Sequence, residues 1–190
     1  MDIRGWDERY RSRERASEDI YPEPTPLLVK TASPLRPGEA LDLASGAGRN
    51  SLWLASQGWK VWAVDGSGEA IEILVERVRQ SHLTVKARVA DLNEDAFDTE
   101  AQRFDLVVIA YYLQRSLFEK AKAVLKPGGR LLAIAHTAEG TEQPTESRLS
   151  PGELRNYFSG WEILHYYEGK PNDPAHKRSV AEIVARRPIH

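Results

Sequence analysis

Three carboxylates of this sequence lie at or near the ends of short apolar runs, where a polar ligand could be held. Asp42 lies in the run ALDLA, Asp65 ends the run WKVWAVD, and Asp91 comes just after LTVKARVA. Gly46 and Gly48 follow Asp42 closely, and glycine lets the backbone approach a ligand. An acid at the end of a second strand accepts hydrogen bonds from ribose hydroxyls. The pattern therefore predicts a site for a ligand that contains a ribose.

The charge of Asp42 separates two classes of ribose-containing cofactor. The dinucleotide fingerprint G-x-G-x-x-G needs a third small residue for close helix packing, and here Ser51 takes that place. A carboxylate at Asp42 repels a pyrophosphate and favours a cation. S-adenosylmethionine carries a sulfonium and an ammonium group, so the pattern favours it over a nicotinamide dinucleotide. Asp91 has two interpretations. It either contacts an adenine, with Leu92 packed against the ring, or belongs to a solvated turn.

The elements that position these residues follow from a regular alternation of apolar runs. The runs end near residues 44, 65, 89, 110 and 135, at intervals of 21, 24, 21 and 25 residues. Amphipathic stripes lie between some of them, one over 71–78 and one over 117–125. Repeated strand–helix units predict a doubly wound, Rossmann-like α/β fold, with helices on both faces of a mostly parallel sheet.

The last third of the chain predicts a different arrangement. The polar segment 136–152 is expected to be a long loop, with Ser150 as the N-cap of a following helix. Two consecutive strands, 161–169 and 178–188, are expected to pair antiparallel at the edge of the sheet.

Composition excludes several classes of protein. The chain has 190 residues, a formal net charge of −2 and no cysteine. Thiol catalysis, disulfides and cysteine-ligated metals are therefore excluded, and a near-neutral chain does not predict nucleic-acid binding. No apolar run is long enough to cross a membrane, and the first 20 residues lack the apolar stretch of a signal peptide. We expect a single-domain protein of the cytoplasm.

Four motifs in order carry a resemblance to a known family. They are DLASGAGRNSLWLASQGWKVWAVDGS, VADLN, FDLVVIAYYL and LKPGG. Together they resemble class I S-adenosylmethionine-dependent methyltransferases. The segments GRNSLWLA and WDERY are similar to the branch that contains the tellurite-resistance and thiopurine-methyltransferase-like enzymes. The resemblance covers nearly the whole chain and implies a seven-stranded sheet whose last strand is antiparallel.

The resemblance also implies roles for individual residues. The cofactor-binding residues it implies are Asp42, Ala44, Ser45, Gly46, Gly48, Arg49, Asn50, Asp65, Gly66, Ser67, Asp91, Leu92, Ala110 and Tyr111. The methionine part would be surrounded by Asp42, Ser45, Gly46 and Gly48. The ribose would be held by Asp65 and Gly66, and the adenine framed by Asp91 and Leu92, whereas Ala110 and Tyr111 would lie near the sulfonium. Arg49 and Asn50 would either fix the turn or reach the methionine carboxylate. Ala44 replaces a glycine that is usual in the family, and it is expected to tighten the methionine pocket.

Candidate catalytic residues come from the second half of the chain. Tyr111 follows the fourth apolar run, His136 closes the fifth, and His176 and Arg178 flank the start of the last. A histidine there could act as a base or orient the substrate, and a basic pair could meet an anionic acceptor. The alternatives are a strand-end histidine bonded to backbone and an exposed turn. No metal site is expected, because the spacing of the histidines is not that of a ligand set on one element.

The resulting expectation is a methyltransferase that acts on a small molecule by in-line methyl transfer. The alternatives are a catalytically silent S-adenosylmethionine-binding module and, in another class, a nicotinamide-dependent oxidoreductase. Residues 1–35 are expected to form a helical lid, with Trp6 and Tyr10 on one face, and residues 36–190 a Rossmann-like core. No nucleic-acid or membrane partner is expected, and the sequence leaves open whether the protein is a monomer or a homodimer.

Overall fold

The computed structural model describes residues 3–12, 21–92 and 103–189. Its contacts divide the chain into two compact units, Met1–Asp98 and Thr99–His190. Residues 13–20, part of the expected lid, lie outside the described residues. Each unit is described by itself.

The first unit is a parallel three-stranded arrangement with helices. In chain order its elements are α1 (Ile3–Ser12), α2 (Pro26–Ala32), β1 (Glu39–Leu43), α3 (Arg49–Ser56), β2 (Lys60–Asp65), α4 (Gly68–Ser81) and β3 (Val85–Val89). β2 lies between β1 and β3, with Asp42 beside Ala63 and Asp65 beside Val89. All three strands therefore end at the same edge, and the turns after them carry the expected ligand-binding residues.

The second unit contains the antiparallel strands. Its elements are β4 (Phe104–Ala110), α5 (Arg115–Val124), β5 (Leu125–His136), α6 (Glu153–Asn156), β6 (Glu162–Gly169) and β7 (Val180–Arg186). β4 pairs parallel with β5, whereas β7 runs antiparallel to both β5 and β6. The strand order in this unit is β4-β5-β7-β6. The expected mixed sheet of seven strands, with an antiparallel last strand, is confirmed.

Burial of apolar side chains explains the strands and the helix faces. Val107 and Val108 in β4 are fully buried, as the continuous apolar run predicts. On α4, Ile71 and Leu74 pack against Ala63 of β2. Val75, which the sequence placed on the same stripe, is 42% exposed, so the buried face of α4 is narrower than predicted.

Two predicted helix boundaries were wrong. The stripe that was expected to include Leu125 ends at Val124, and Leu125 begins β5. The N-cap of α6 is Gly152 in a left-handed conformation, not Ser150. The reason is that the Glu153 carboxylate accepts the N–H of Ser150 at 2.8 Å, while the Glu153 N–H donates to the Ser150 carbonyl at 3.1 Å. These bonds hold residues 150–152 in a turn, and the helix begins at Glu153.

None of the helices in the described ranges is both long enough and apolar enough to cross a membrane.

Candidate active site

The turn after β1 is held in a conformation that needs its glycines. Gly46 has φ +53° and Gly48 has φ +82°, in the left-handed region that L-residues avoid. A Cβ at Gly48 would lie 2.2 Å from Leu74 Cδ1, and one at Gly46 would lie 2.6 Å from the Tyr10 hydroxyl. The glycines therefore allow α3 and α4 to pack closely, and they allow α1 to approach the turn.

Ala44 occupies a left-handed position as well, with φ +56°. This conformation costs an L-residue about 1–2 kcal/mol, and glycine avoids that cost. The left-handed backbone is thus a physical reason why glycine would be preferred here, in addition to the space that the alanine side chain would take in the expected methionine pocket.

Asp42 is a buried acid beside this turn. Its side chain is 1% exposed, and its Oδ2 accepts a hydrogen bond from the Ser51 hydroxyl at 2.6 Å. Burial raises the pKa of Asp42 to about 7, because removal from water penalises the charged form. Ser45 adds a buried hydroxyl with no hydrogen-bond partner in the described part of the chain. A buried carboxylate and an unsatisfied hydroxyl are groups that a bound cation with polar hydrogens would satisfy.

The raised pKa of Asp42 gives a pH-dependent prediction for ligand binding. A cationic amine favours the ionised carboxylate, so S-adenosylhomocysteine should release a proton on binding below pH 7. We expect affinity to fall about fivefold as the pH drops from 7 to 6. Calorimetry in two buffers of different ionisation enthalpy measures the released proton.

The control for this prediction is Asp42→Asn, which should bind with no pH dependence between 5.5 and 8. The folding stability of the ligand-free protein should change with pH in the direction opposite to that of the ligand affinity. The stability that Asp42 contributes is complete below its unfolded pKa of about 3.9 and is lost as the pH rises through about 7. A wild-type affinity that does not change with pH would contradict the assignment of Asp42 to the cation.

Asp65 connects the turns after β1 and β2. Its Oδ2 accepts the Gly46 N–H at 2.7 Å and its Oδ1 accepts the Ser67 N–H at 2.8 Å. Burial raises the pKa of this carboxyl, and the bonds from these backbone N–H groups oppose the shift. Each oxygen is thus held by a bond to a different turn at this edge of the strands.

Ser67 and Gly66 form the turn that leads into α4. The Ser67 hydroxyl accepts the Ala70 N–H at 3.1 Å and thereby caps the helix. Asp91 and Leu92 follow β3 at the same edge, where Leu92 is buried and Asp91 is half-buried. The Ala90 N–H donates to the Asp65 carbonyl at 2.9 Å, which fixes this third turn against the second.

Arg49 and Asn50 hold the segment before α2. The Asn50 Oδ1 accepts the Thr25 N–H at 2.9 Å, and an Arg49 amino group donates to the Thr25 hydroxyl at 3.1 Å. Of the two roles that the sequence left open, these contacts favour fixing the local backbone.

Helix α1 contacts the turns at the same edge through Trp6 and Tyr10, which the sequence placed on one face, and through Asp7, which sequence reasoning missed. The Asp7 Oδ1 accepts the Ser67 hydroxyl at 2.6 Å and the Glu69 N–H at 3.3 Å. Tyr10 is buried with Ala47 and Ala70, and Trp6 packs against this group. Asp7 belongs to the segment WDERY, so the resemblance of that segment was the one available indication of its role.

The contacts of α1 give a prediction for the lid. Bound cofactor should stabilise the turns that carry Gly46 and Ser67, and α1 contacts both. We expect amide hydrogen exchange in residues 3–12 to slow when S-adenosylhomocysteine is added. The amides of β6 serve as the internal reference. Unchanged exchange in α1 would mean a static helix.

The second unit brings three of its candidate residues together. The rings of Tyr111 and His176 are stacked, with centroids 3.4 Å apart and planes 10° apart. His136 lies beside both, at centroid distances of 5.9 Å from Tyr111 and 5.7 Å from His176. Tyr111 has φ +61°, a conformation that bulky residues rarely adopt and that is often found at functional sites. Ala110, just before it, ends β4 half-buried.

Asp173 supports this ring cluster, and the sequence gave no indication of it. Its side chain is 3% exposed and accepts the Tyr111 hydroxyl at 3.0 Å and the Ala175 N–H at 3.1 Å. The His176 N–H donates to the Asp173 carbonyl at 3.1 Å. Asp173 therefore positions Tyr111 and the turn that carries His176.

The surroundings of His136 keep its imidazole neutral. Burial lowers its pKa, and the positive charges of Arg178 and Arg148 lower it further, against a hydrogen bond to the Ser179 backbone. Its Nδ1 is buried with no partner in the described part of the chain. A neutral imidazole with an unused nitrogen can take a proton from a methyl acceptor or form a hydrogen bond with it.

The remaining candidate, Arg178, and the histidine His165 each face a carboxylate. Arg178 approaches Glu142 at 3.8 Å, and the His165 Nε2 lies 3.1 Å from Glu182. In residues 3–12, 21–92 and 103–189 no group of three histidine or acidic residues is placed to hold a metal ion.

The fold and the first-unit site define a class of protein. The three parallel strands of the first unit are followed by turns at the same edge. The first turn contains glycines beside a buried acid, and an acid lies at each of the other two turns. This arrangement fits S-adenosylmethionine. This is the architecture of class I S-adenosylmethionine-dependent methyltransferases. Comparison with known proteins identifies the branch. The sequence model of the family described as "Tellurite resistance protein TehB" matches residues 24–178. The chain belongs to the TehB family.

Two relatives of known name are methyltransferases, one of them a TehB protein. The "Probable S-adenosyl-L-methionine-dependent methyltransferase TehB" of Haemophilus influenzae Rd is 28% identical over 150 residues, which cover 74% of this chain and 52% of that protein. The "Ribosomal RNA small subunit methyltransferase C" of Alcanivorax borkumensis is 32% identical over 111 residues, or 53% of this chain and 33% of that protein.

A solved structure confirms the fold. The crystal structure of TehB from Haemophilus influenzae has a TM-score of 0.75 and 24% identity, and the match covers 96% of this chain and 67% of that chain. The chain spans about half the length of the curated relatives that it matches over the longest stretches. The cofactor of the family is S-adenosylmethionine, and S-adenosylhomocysteine is its product.

Proposed function

We propose that this protein is an S-adenosylmethionine-dependent methyltransferase that acts on a small-molecule acceptor. The observation that carries the proposal is the buried Asp42 carboxylate beside the glycine turn. At this place a dinucleotide-binding protein would hold a pyrophosphate, which a carboxylate repels. Membership of the TehB family supports the same activity.

In this proposal the first unit holds the cofactor. Asp42 and the Ser45 hydroxyl face the methionine part, Asp65 and the 66–67 turn hold the ribose, and Asp91 and Leu92 frame the adenine. The bound cofactor supplies a methyl group on a sulfonium, which is a good leaving group. The protein's task is to align the acceptor and to exclude water.

The second unit provides the acceptor side. Tyr111 and His176 present a stacked aromatic surface, and His136 is a neutral base for an acceptor that carries a proton. The charges of Arg148 and Arg178 near His136 favour an acceptor with negative charge. A soft nucleophile that is already ionised would need no base. If the rate of methyl transfer depends only weakly on His136, the acceptor is therefore of that kind.

A small acceptor is favoured over RNA by charge and by local sequence. The chain carries a net charge of −2, whereas an RNA-binding surface is typically basic. The residues at the end of β4 and after it are Ala110-Tyr111-Tyr112-Leu113, without the Asn/Asp-Pro-Pro-aromatic pattern of amino methylation on bases. A cytoplasmic location fits a chain without cysteine. The RNA-modifying relative makes RNA the alternative to be tested.

Two measurements test the proposal. Calorimetric titration with S-adenosylhomocysteine is expected to give a dissociation constant of about micromolar or tighter. Formation of S-adenosylhomocysteine is then followed with a panel of small thiols, amines and inorganic oxyanions, and separately with ribosomal RNA.

The outcomes separate the candidate functions. Turnover with a small acceptor supports the proposal, and turnover with ribosomal RNA alone would overturn the acceptor class. Binding without turnover on either arm would favour the silent binding module. Failure of a folded sample to bind, together with binding of a nicotinamide dinucleotide, would favour the oxidoreductase.

A further inference from the structure

A cavity of about 380 Å³ lies in the first unit, between the 22–24 segment, α3 and the last turns of α4. Its volume is in the range of pockets that hold small organic ligands. Arg49 is the one candidate cofactor residue among those that line it, and Asp42, Asp65 and Asp91 do not. The cavity is therefore a different place from the strand-end site.

Arg77 is an uncompensated positive charge at this cavity. It lies on α4, is half-buried, and loses water on burial, which lowers the pKa of its guanidinium. An Arg77 amino group donates to the Ala47 carbonyl at 2.7 Å. Within the described ranges, no carboxylate lies at ion-pair distance from it. A partly desolvated guanidinium that lacks an acidic partner is stabilised when an oxyanion binds to it.

Arg49 brings a second guanidinium to the cavity. It donates to the Glu23 carbonyl at 3.4 Å and to the Thr25 hydroxyl at 3.1 Å, so the 23–25 segment holds it in place. Among the described residues that line the cavity, the exposed Glu23 is the one acid, against two arginines. The electrostatic balance favours an anion.

Apolar side chains complete the cavity. Trp53 and Leu52 of α3 line it together with Pro22 and Pro24. Trp53 is half-buried and contributes to this wall. Two cations beside an apolar wall suit a small organic molecule that carries a carboxylate or a phosphate group.

We propose that this cavity is a binding site for a small organic anion, whose carboxylate or phosphate group is held by Arg77 and Arg49 and whose apolar part contacts Trp53. The site is separate from the cofactor and acceptor sites proposed above, and it does not depend on the methyltransferase activity.

The test is a nuclear magnetic resonance titration of the full ¹⁵N-labelled protein. The probes are benzoate, its uncharged analogue benzamide, and inorganic phosphate. Benzoate or phosphate is expected to shift the Trp53 indole and the amides of 77–81 in a saturable way, with a dissociation constant of about 1 mM or tighter. Benzamide is expected to bind at least about tenfold more weakly, because it lacks the charge.

Matched variants on one helix separate the site from general charge effects. Arg77→Gln should weaken anion binding about tenfold or more. Arg79→Gln removes an exposed arginine that pairs with Glu76 at 2.7 Å, and it should change binding less than about twofold. Arg77→Lys keeps the charge but loses the planar fork, so it should give an intermediate affinity if Arg77→Gln does not fold.

Several results would overturn the inference. They are no saturable shift with either anion, benzamide binding as tightly as benzoate, or equal losses in the Arg77 and Arg79 variants. Titration of the same samples with S-adenosylhomocysteine keeps the two proposals apart. Cofactor binding without anion binding would refute only the anion site, and anion binding without cofactor binding would refute only the proposed function.

Discussion

Replacing Asp65 with asparagine is expected to weaken S-adenosylhomocysteine binding about 100-fold, because two charge-assisted hydrogen bonds of about 1.5–3 kcal/mol each are affected. In the structure its two oxygens accept the N–H groups of Gly46 and Ser67. An amide has one oxygen, so one of these N–H groups would face an NH₂ group instead. The two turns would lose their common anchor, and the ribose would lose an acceptor.

The protein should still fold after this change. Asparagine has the size of aspartate, and it removes a charge that burial disfavours. Calorimetry measures the affinity, and thermal unfolding monitored by circular dichroism checks the fold.

The matched control is Asp105→Asn, in the second unit. Asp105 is a partly exposed acid that pairs with Lys126 at 2.9 Å, and its loss should leave affinity within about twofold. Equal affinities of wild type and the Asp65 variant would show that Asp65 has a purely structural role.

The second large effect is expected at Asp173. We expect Asp173→Asn to lower methyl transfer to the best acceptor about 10- to 100-fold, since misplacement of acceptor-side groups is costly. The carboxylate accepts both the Tyr111 hydroxyl and the Ala175 N–H, and an asparagine oxygen cannot serve both equally well. The stacked rings of Tyr111 and His176 would lose their fixed orientation.

Three measurements distinguish positioning from general damage. kcat should fall, the affinity for S-adenosylhomocysteine should stay within about threefold, and the free energy of unfolding should decrease by about 1–3 kcal/mol. A loss of cofactor affinity as large as the loss of kcat would contradict a role confined to the acceptor side.

Neighbouring tyrosines provide a matched pair for the same question. Tyr111→Phe removes the hydroxyl that reaches Asp173, and it should reproduce much of the Asp173→Asn effect on kcat. Tyr112→Phe removes a hydroxyl that donates to Gln114 at 3.0 Å, two residues away, and it should have little effect. Similar rates in the two variants would refute the role of the Tyr111–Asp173 bond.

Several features of this protein could be predicted from the sequence because they depend on neighbouring residues. The buried strands follow from continuous apolar runs such as FDLVVIA, since such runs are stable only when both faces are covered. The turn after β1 follows from Gly46 and Gly48, whose left-handed backbone other residues avoid. Parallel strands place Asp42, Asp65 and Asp91 at one edge, so their common position there was predictable as well.

Other features were decided by contacts between distant residues. Asp7 meets Ser67 across 60 positions of the chain, and Tyr111 meets Asp173 across 62. No local periodicity encodes such pairs, because each depends on how separate elements pack. The burial of Arg77 beside the cavity, with no acid partner among the described residues, likewise depends on packing and not on its local sequence. The sequence by itself determined the strands, the glycine turn and the acids that follow the strands. Only the tertiary structure decided what supports them, because burial and hydrogen-bond partners are properties of the packed chain.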